Sequence, residues 1–255
     1  MLFRALLATI LLLSGSQAAL AGGFTLVPGP ALQQAAALEV KGRNGILIKQ
    51  KLQFGGYQTA YVKRGAIRQW MGTTGWLNDI WMQSTTGKQA IHFALTNGSD
   101  TAKAVGTTHI QREELIIDNP NNLPTVLAGI FSIGTDLQEN NLSVALHLPG
   151  NKEVWSLFLD NKAAQLHRRE AAGYLRQGDV VYTIHPVWQV RNRKGKIADM
   201  PFGAAGLEFR NAAGDAVAAV NLMADGAVHI NEALPAAEKL LLSTACTALL
   251  LQSVT

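Results

Sequence analysis

Pro235 to Leu251 (PAAEKLLLSTACTALLL) constrains this chain more than any other stretch. At about 100° per residue, Leu240, Leu241, Leu242, Leu249, Leu250 and Leu251 fall at roughly 0, 100, 200, 180, 280 and 20° around a helix axis. Such a helix has no polar face to give to water, so it is either enclosed by protein or inserted in lipid. Its uninterrupted apolar window is about 12 residues, the length of a core helix and short of the ~20 that span a bilayer. Glu238 and Lys239 stand at its start, and Pro235 suits a first helical position, where no backbone donor is needed. The one hydrophilic stripe is Lys239, Ser243 and Thr247, whose hydroxyls can bond the carbonyl four residues back. We therefore expect a helix wrapped by its own protein, with the six leucines stabilising the fold by roughly 9 to 18 kcal/mol before entropy is counted.

The rest of the chain supplies strands to do the wrapping. Arg43-Asn44-Gly45-Ile46 is a hairpin signal, after which Ile46, Ile48, Gln50, Leu52 and Phe54 alternate with Leu47, Lys49, Lys51 and Gln53 before a Gly55-Gly56 turn. Alternation recurs at Ile91, Phe93 and Leu95 before Asn97-Gly98, at Leu142 to Leu148 before Pro149-Gly150-Asn151, and at Val180, Tyr182 and Ile184. Leu115 to Ile117, Val126 to Ile133 and Val154 to Leu159 read as more fully buried strands, while Lys162 to Leu175 is ambiguous. Later strands are separated by turns at Arg191 to Lys196, Asn211 to Asp215 and Asp225-Gly226. About a dozen short strands without intervening long helices predict an antiparallel sandwich or barrel rather than a parallel sheet. The fold class expected is mainly β: an antiparallel closed or nearly closed barrel with a buried hydrophobic C-terminal helix. Closure also removes exposed sheet edges.

Met1 to Ala21 reads as a secretory signal, with Arg4, the apolar run Ala5 to Leu13 and the small-x-small site Ala19-Leu20-Ala21. The expected organisation is residues 1–21 as signal peptide, 22–37 as an N-terminal tether containing Val27-Pro28-Gly29-Pro30, and 38–255 as a single barrel-like domain. An exported, periplasmic or secreted location follows. No membrane span is expected once the signal is cleaved. The lone Cys246 excludes an internal disulfide and, inside the apolar helix, behaves as a small hydrophobe.

Without the signal the chain carries 21 Lys and Arg against 18 Asp and Glu, a net charge of +3. The charge is uneven: residues 39 to 70 hold Lys41, Arg43, Lys49, Lys51, Lys63, Arg64 and Arg68 against Glu39 alone, and residues 167 to 196 hold seven cations against two carboxylates. Two basic segments on an otherwise acidic body point to an anionic partner if they converge. Beside the first lie Trp70, Trp76 and Trp81 among Gly65, Gly72 and Gly75. Tryptophans on a glycine-rich loop either stack a sugar or lipid headgroup or plug a barrel end. The ligand-binding candidates are accordingly Lys49, Lys51, Lys63, Arg64, Arg68, Trp70 and Trp76. The expected partner is an anionic lipid or other envelope component, not nucleic acid.

The order Gly206-Leu207-Glu208-Phe209-Arg210-Asn211, a turn at Gly214-Asp215, Ala216-Val217-Ala218-Ala219-Val220, a short strand and an all-apolar terminal helix resembles the closing segment of the tubby and phospholipid-scramblase superfamily. The likeness covers about 50 residues of pattern. It implies a twelve-stranded barrel threaded by its C-terminal helix and inclines function toward lipids or other amphiphiles. No phosphoinositide-binding or calcium-binding signature accompanies it, so it assigns no functional residue.

Catalytic signatures are sparse. No Gly-x-Ser-x-Gly in the exported part, His-Glu-x-x-His, phosphate-cradling glycine loop or Cys-x-x-Cys occurs. His92, His109, His147, His167, His185 and His229 lack metal-ligand spacing, and no cofactor or metal is expected. Two strands end alike, at Asp118-Asn119 and Asp160-Asn161; two such aspartates about 5 to 9.5 Å apart would suit glycoside hydrolysis, whereas Asp-Asn after a strand is also an ordinary turn. The favoured expectation is a non-catalytic exported binding barrel. The alternatives are an envelope hydrolase using Asp118 and Asp160, and a scaffold that docks another protein.

Overall fold

The computed structural model of the chain describes residues 24–43, 50–65, 68–77, 80–117, 136–151, 153–201 and 203–252. In chain order its strands are β1 (Phe24–Leu26), β2 (Leu38–Glu39), β3 (Gln53–Phe54), β4 (Tyr57–Arg64), β5 (Arg68–Leu77), β6 (Ile80–Thr96), β7 (Thr101–Ile117), β8 (Asp136–His147), β9 (Trp155–Asp160), β10 (Gly173–Gln177), β11 (Val180–Val187), β12 (Gln189–Asn192), β13 (Ile197–Asp199), β14 (Gly206–Arg210), β15 (Ala216–Asn221) and β16 (Ala227–Ile230). Two helices, α1 (Asn161–Leu166) and α2 (Ala236–Leu251), and a 3-10 turn at Pro30–Leu32 complete the described elements.

Twelve strands form one antiparallel path in the order β2-β16-β15-β14-β11-β10-β9-β8-β7-β6-β4-β3. Its two ends meet just past β2, where Lys41 and Gln53 exchange backbone hydrogen bonds of 2.8 and 3.0 Å. The sheet is thus nearly closed into a barrel, as expected. Most connections are the turns read from sequence. Gly55-Gly56 joins the paired Phe54 and Tyr57, and Gly98 supplies the positive φ of 97° between β6 and β7.

Helix α2 fills the barrel. Every residue from Leu240 to Leu251 is buried, and the helix lies against β6, β7 and β8 on one side and β15 and β16 on the other. The strands meet it with their alternate apolar residues: Ile91, Phe93 and Leu95 of β6, Leu142, Val144 and Leu146 of β8, Ala218 and Val220 of β15. Two of its hydroxyls bond the carbonyl four residues back, Thr244 to Leu240 at 2.7 Å and Thr247 to Ser243 at 2.8 Å. Ser243 departs from the expected pattern, since its buried Oγ has no partner among the described residues. Among the described residues no helix is long and apolar enough to cross a membrane.

Residues 24–37 do not act as a tether. β1 pairs with β12, which pairs with β13, making a separate three-stranded sheet. Leu26 and Leu32 bury themselves with Val187, Val190, Ala216 and Ala219 in a second apolar cluster. The apolar content of this segment is enough to hold it on the outside of β15, which is why that strand is buried on both faces. A carboxylate fixes the attachment: Glu208 Oε2 accepts the Gly29 N–H at 2.9 Å, while Oε1 accepts from Arg210 Nε at 2.8 Å and Nη2 at 2.6 Å.

The glycine- and tryptophan-rich stretch is likewise not a loop. Arg68–Leu77 is strand β5, paired with β6 from Arg68↔Lys88 to Leu77↔Ile80, with a bulge between Gly75 and Leu77. Glycine is a poor strand residue, but pairing along the preformed edge of β6 outweighs that local preference. β6 and β7 pair along all seventeen residues, a length of about 56 Å. β4 and β9 line only the half that encloses α2. The other half, with β5 and the start of β8, continues the wall as a four-stranded blade. The ambiguous Lys162 to Leu175 resolves into the rest of α1 and the start of β10. The Asn44-Gly45 turn and Val126 to Ile133 lie outside the described residues.

Candidate ligand-binding face

β4 and β5 run end to end along the same edge of β6, so Lys63 and Arg68 follow one another along that edge. Lys63 pairs opposite His92, and Arg68 opposite Lys88. Because opposed residues share a sheet face, and Ile91 and Phe93 point inward, Lys63, Lys88 and His92 stand on the outside. Lys63 Nζ lies 5.7 Å from the centroid of the Tyr61 ring. Arg64, next in the strand, belongs to the other face: Nε donates to Gln50 Oε1 at 3.1 Å and Nη1 to Gln89 Oε1 at 3.4 Å. Desolvation there pulls the Arg64 guanidinium below its ordinary pKa. Lys51 is exposed on the approach to β3. For Arg68, Trp70 and Trp76 the backbone of β5 is described, and Lys49 lies outside the described residues.

The neighbouring strands extend the basic surface, which the sequence reading missed. Lys103 and His147 are paired across β7 and β8 and exposed. Arg176 on β10 is exposed, with its guanidinium 5.2 Å from the Tyr174 ring. In β4, in β6 from residue 86, in β7 to residue 109, in β8 from residue 140, and in β9 and β10, the sole carboxylate is Asp160. It is occupied as the N-cap of α1, accepting from the Ala163 N–H at 3.0 Å. Lys63, Lys88 and Lys103 therefore stand on the outside of the adjacent strands β4, β6 and β7, in stretches that hold no carboxylate, and Arg176 stands three strands beyond β7 on β10; potentials from neighbouring charges add.

A shallow groove of about 440 Å³ crosses this wall over β7, β8, β9 and β10. Thr107, Ser143 and Ser156 line it with hydroxyls, and Phe158 and Tyr174 close one end as a stacked pair, centroids 5.6 Å apart at 28°. The second basic segment contributes only Arg176 here. Arg191 and the turn to Lys196 belong to the β12–β13 hairpin, and Arg168 is paired with Asp199 at 2.9 Å and stacked 4.4 Å from the Trp188 ring. Arg176 on β10 stands five strands from Lys63 on β4, so the two basic segments are not brought together. The signal that would have found this face is the period-two placement of Lys103, His147 and Arg176 opposite buried Ala102, Leu146 and Leu175.

The aspartate pair is not assembled among the described residues: Asp118 lies outside them, and Asp160 is committed to its helix. Burial pushes the Cys246 thiol far above its ordinary pKa, so it is an inert core group. Among the described residues no cluster of His, Cys, Asp and Glu is grouped to hold a metal ion.

Fold and face together describe a helix-filled, nearly closed antiparallel barrel that carries lysines on the outside of β4, β6 and β7. Comparison with protein-family models, with curated proteins and with solved structures finds no match for this chain.

Proposed function

We propose that this protein is an exported, non-catalytic barrel that binds an anionic, lipid-like envelope component on the outer wall formed by β4 and β6 to β10. The observation that carries the reading is the set of Lys63, Lys88 and Lys103 on the outside of the adjacent strands β4, β6 and β7, in described stretches that hold no carboxylate. The hydroxyl-lined groove and the Phe158–Tyr174 pair add hydrogen-bonding and apolar contact beside the charges. Kinship with the tubby and scramblase superfamily is part of the same proposal, supported by the twelve-strand path and the terminal helix inside it. Export rests on the signal-like sequence of residues 1–21.

The test is sedimentation with vesicles of phosphatidylglycerol and phosphatidylcholine at low and high salt. Binding is expected to the anionic vesicles only, to weaken with added salt, and to drop by about tenfold or more in the K63E/K88E/K103E variant, each basic residue near an anionic surface contributing about 1 kcal/mol. Equal retention of the wild type and the triple variant sinks the reading.

A further inference from the structure

At the end of the barrel where α2 enters lies a cavity of about 520 Å³, a volume in the range of sites for small organic ligands. We propose that this cavity binds an alkylammonium ion, an amphiphile with a cationic head and a short apolar chain. The assignment does not depend on the outer wall, whose chemistry is the opposite.

Charge and rings make the case for the head. Among the described residues, the cavity is lined by two carboxylates, Asp100 and Glu238, and by no lysine, arginine or histidine. Trp155 and Tyr182 form one wall, with ring centroids 5.9 Å apart and planes inclined by 36°. Aromatic faces beside a carboxylate are the arrangement that takes an ammonium ion, through cation–π and charge attraction together. Tyr182 also holds the carboxylate in place, donating its hydroxyl to Glu238 Oε1 at 2.6 Å.

Apolar surface and an unused donor describe the rest of the ligand. Leu148, Leu240 and Leu241 line the cavity and offer contact to a hydrocarbon chain. Gln177 lines it as well, and its Nε2 is shielded from solvent with no acceptor among the described residues. A buried unpaired donor is disfavoured until an acceptor arrives, so a ligand oxygen near the head would bind better than a bare chain.

The competing occupant is an anion. Pro235 gives the first turn of α2 no side-chain cap, and free N–H groups at a helix start attract negative charge. The helix end carries only about half a unit of positive charge, set against the two whole carboxylates. The balance favours a cation.

The experiment is calorimetric titration of the full chain with decyltrimethylammonium below its micellar concentration, with decyl sulfate and octyl glucoside as anionic and neutral comparators. One saturable site is expected for the ammonium probe, with affinity at least about tenfold above both comparators, a gap of about 1.4 kcal/mol. E238Q, which keeps an acceptor for Tyr182, is expected to weaken the ammonium probe by about tenfold. D100N, at an exposed turn, provides the same readout should E238Q not fold. Binding of decyl sulfate as tight as the ammonium probe, unchanged binding in the folded variants, or no saturation by the wild type overturns the proposal. E238Q should still sediment with anionic vesicles, and K63E/K88E/K103E should still bind the ammonium probe, so the two proposals fail separately.

Discussion

Lys41 and Gln53 each give the other a backbone hydrogen bond, and those two bonds are where the long sheet closes on itself. Beside them β2 and β3 are only two residues long, so the closure has little redundancy. Gln53→Pro removes one of the two donors and is expected to destabilise the fold by about 1–3 kcal/mol. Gln53→Thr, at the same exposed position, is expected to stay within about 0.5 kcal/mol of wild type. Midpoints of urea unfolding measure both.

Two substitutions in α2 should move stability in opposite directions. Leu249→Ala leaves a void in a fully buried site and is expected to lose about 2–5 kcal/mol. Ser243→Ala removes a buried hydroxyl that has no partner among the described residues and is expected to gain about 0.5–1.5 kcal/mol through lower desolvation and better helix propensity. A fall in the thermal midpoint of Ser243→Ala would contradict the packing described.

The Glu208 carboxylate joins β14 to a residue 179 positions earlier in the chain. Glu208→Ala strands the Gly29 N–H and the Arg210 guanidinium. Because Arg210 is partly solvated, its side chain 40% exposed, the loss is expected to be about 1–3 kcal/mol and not the full value of a buried pair. Hydrogen exchange should speed up at residues 24–37 before it does in β6 or β7.

Acid should loosen the same region. Burial holds the His229 imidazole below its ordinary pKa, against a smaller upward pull from the Ala35 backbone. His185 is lowered by burial and by the neighbouring Arg210 guanidinium, with Glu208 opposing. The unfolded chain therefore binds these protons at a higher pH than the folded one does, so stability is lost as pH falls through about 6.5 and below. His229→Phe is expected to flatten the stability-against-pH curve between about pH 7 and 5, read from unfolding midpoints at each pH.

The architecture was legible because its strongest signal is one of burial. Leucines at every angle of one helix leave few ways to keep it dry, and alternation in β6, β8 and β11 states which side of each strand faces it. Parts settled by partners distant in sequence were not legible. Gly72 and Gly75 say turn locally, yet the β6 edge makes them strand. Pro28 and Pro30 say linker, yet Leu26, Leu32 and a distant glutamate dock that segment. Basic residues were countable from composition, but which of them share a wall depends on register. Thus Lys63 joins Lys103 on the outside while adjacent Arg64 turns to Gln50 and Gln89.

The filling of the barrel follows all sixteen described strands in the chain. Until α2 has been synthesised, the inward residues of every earlier strand have nothing but water to face, and a cylinder assembled ahead of it would be hollow. Closure of the barrel therefore waits for α2, and a chain cut before Leu240 should persist as an open, sticky sheet that invites pairing with its neighbours.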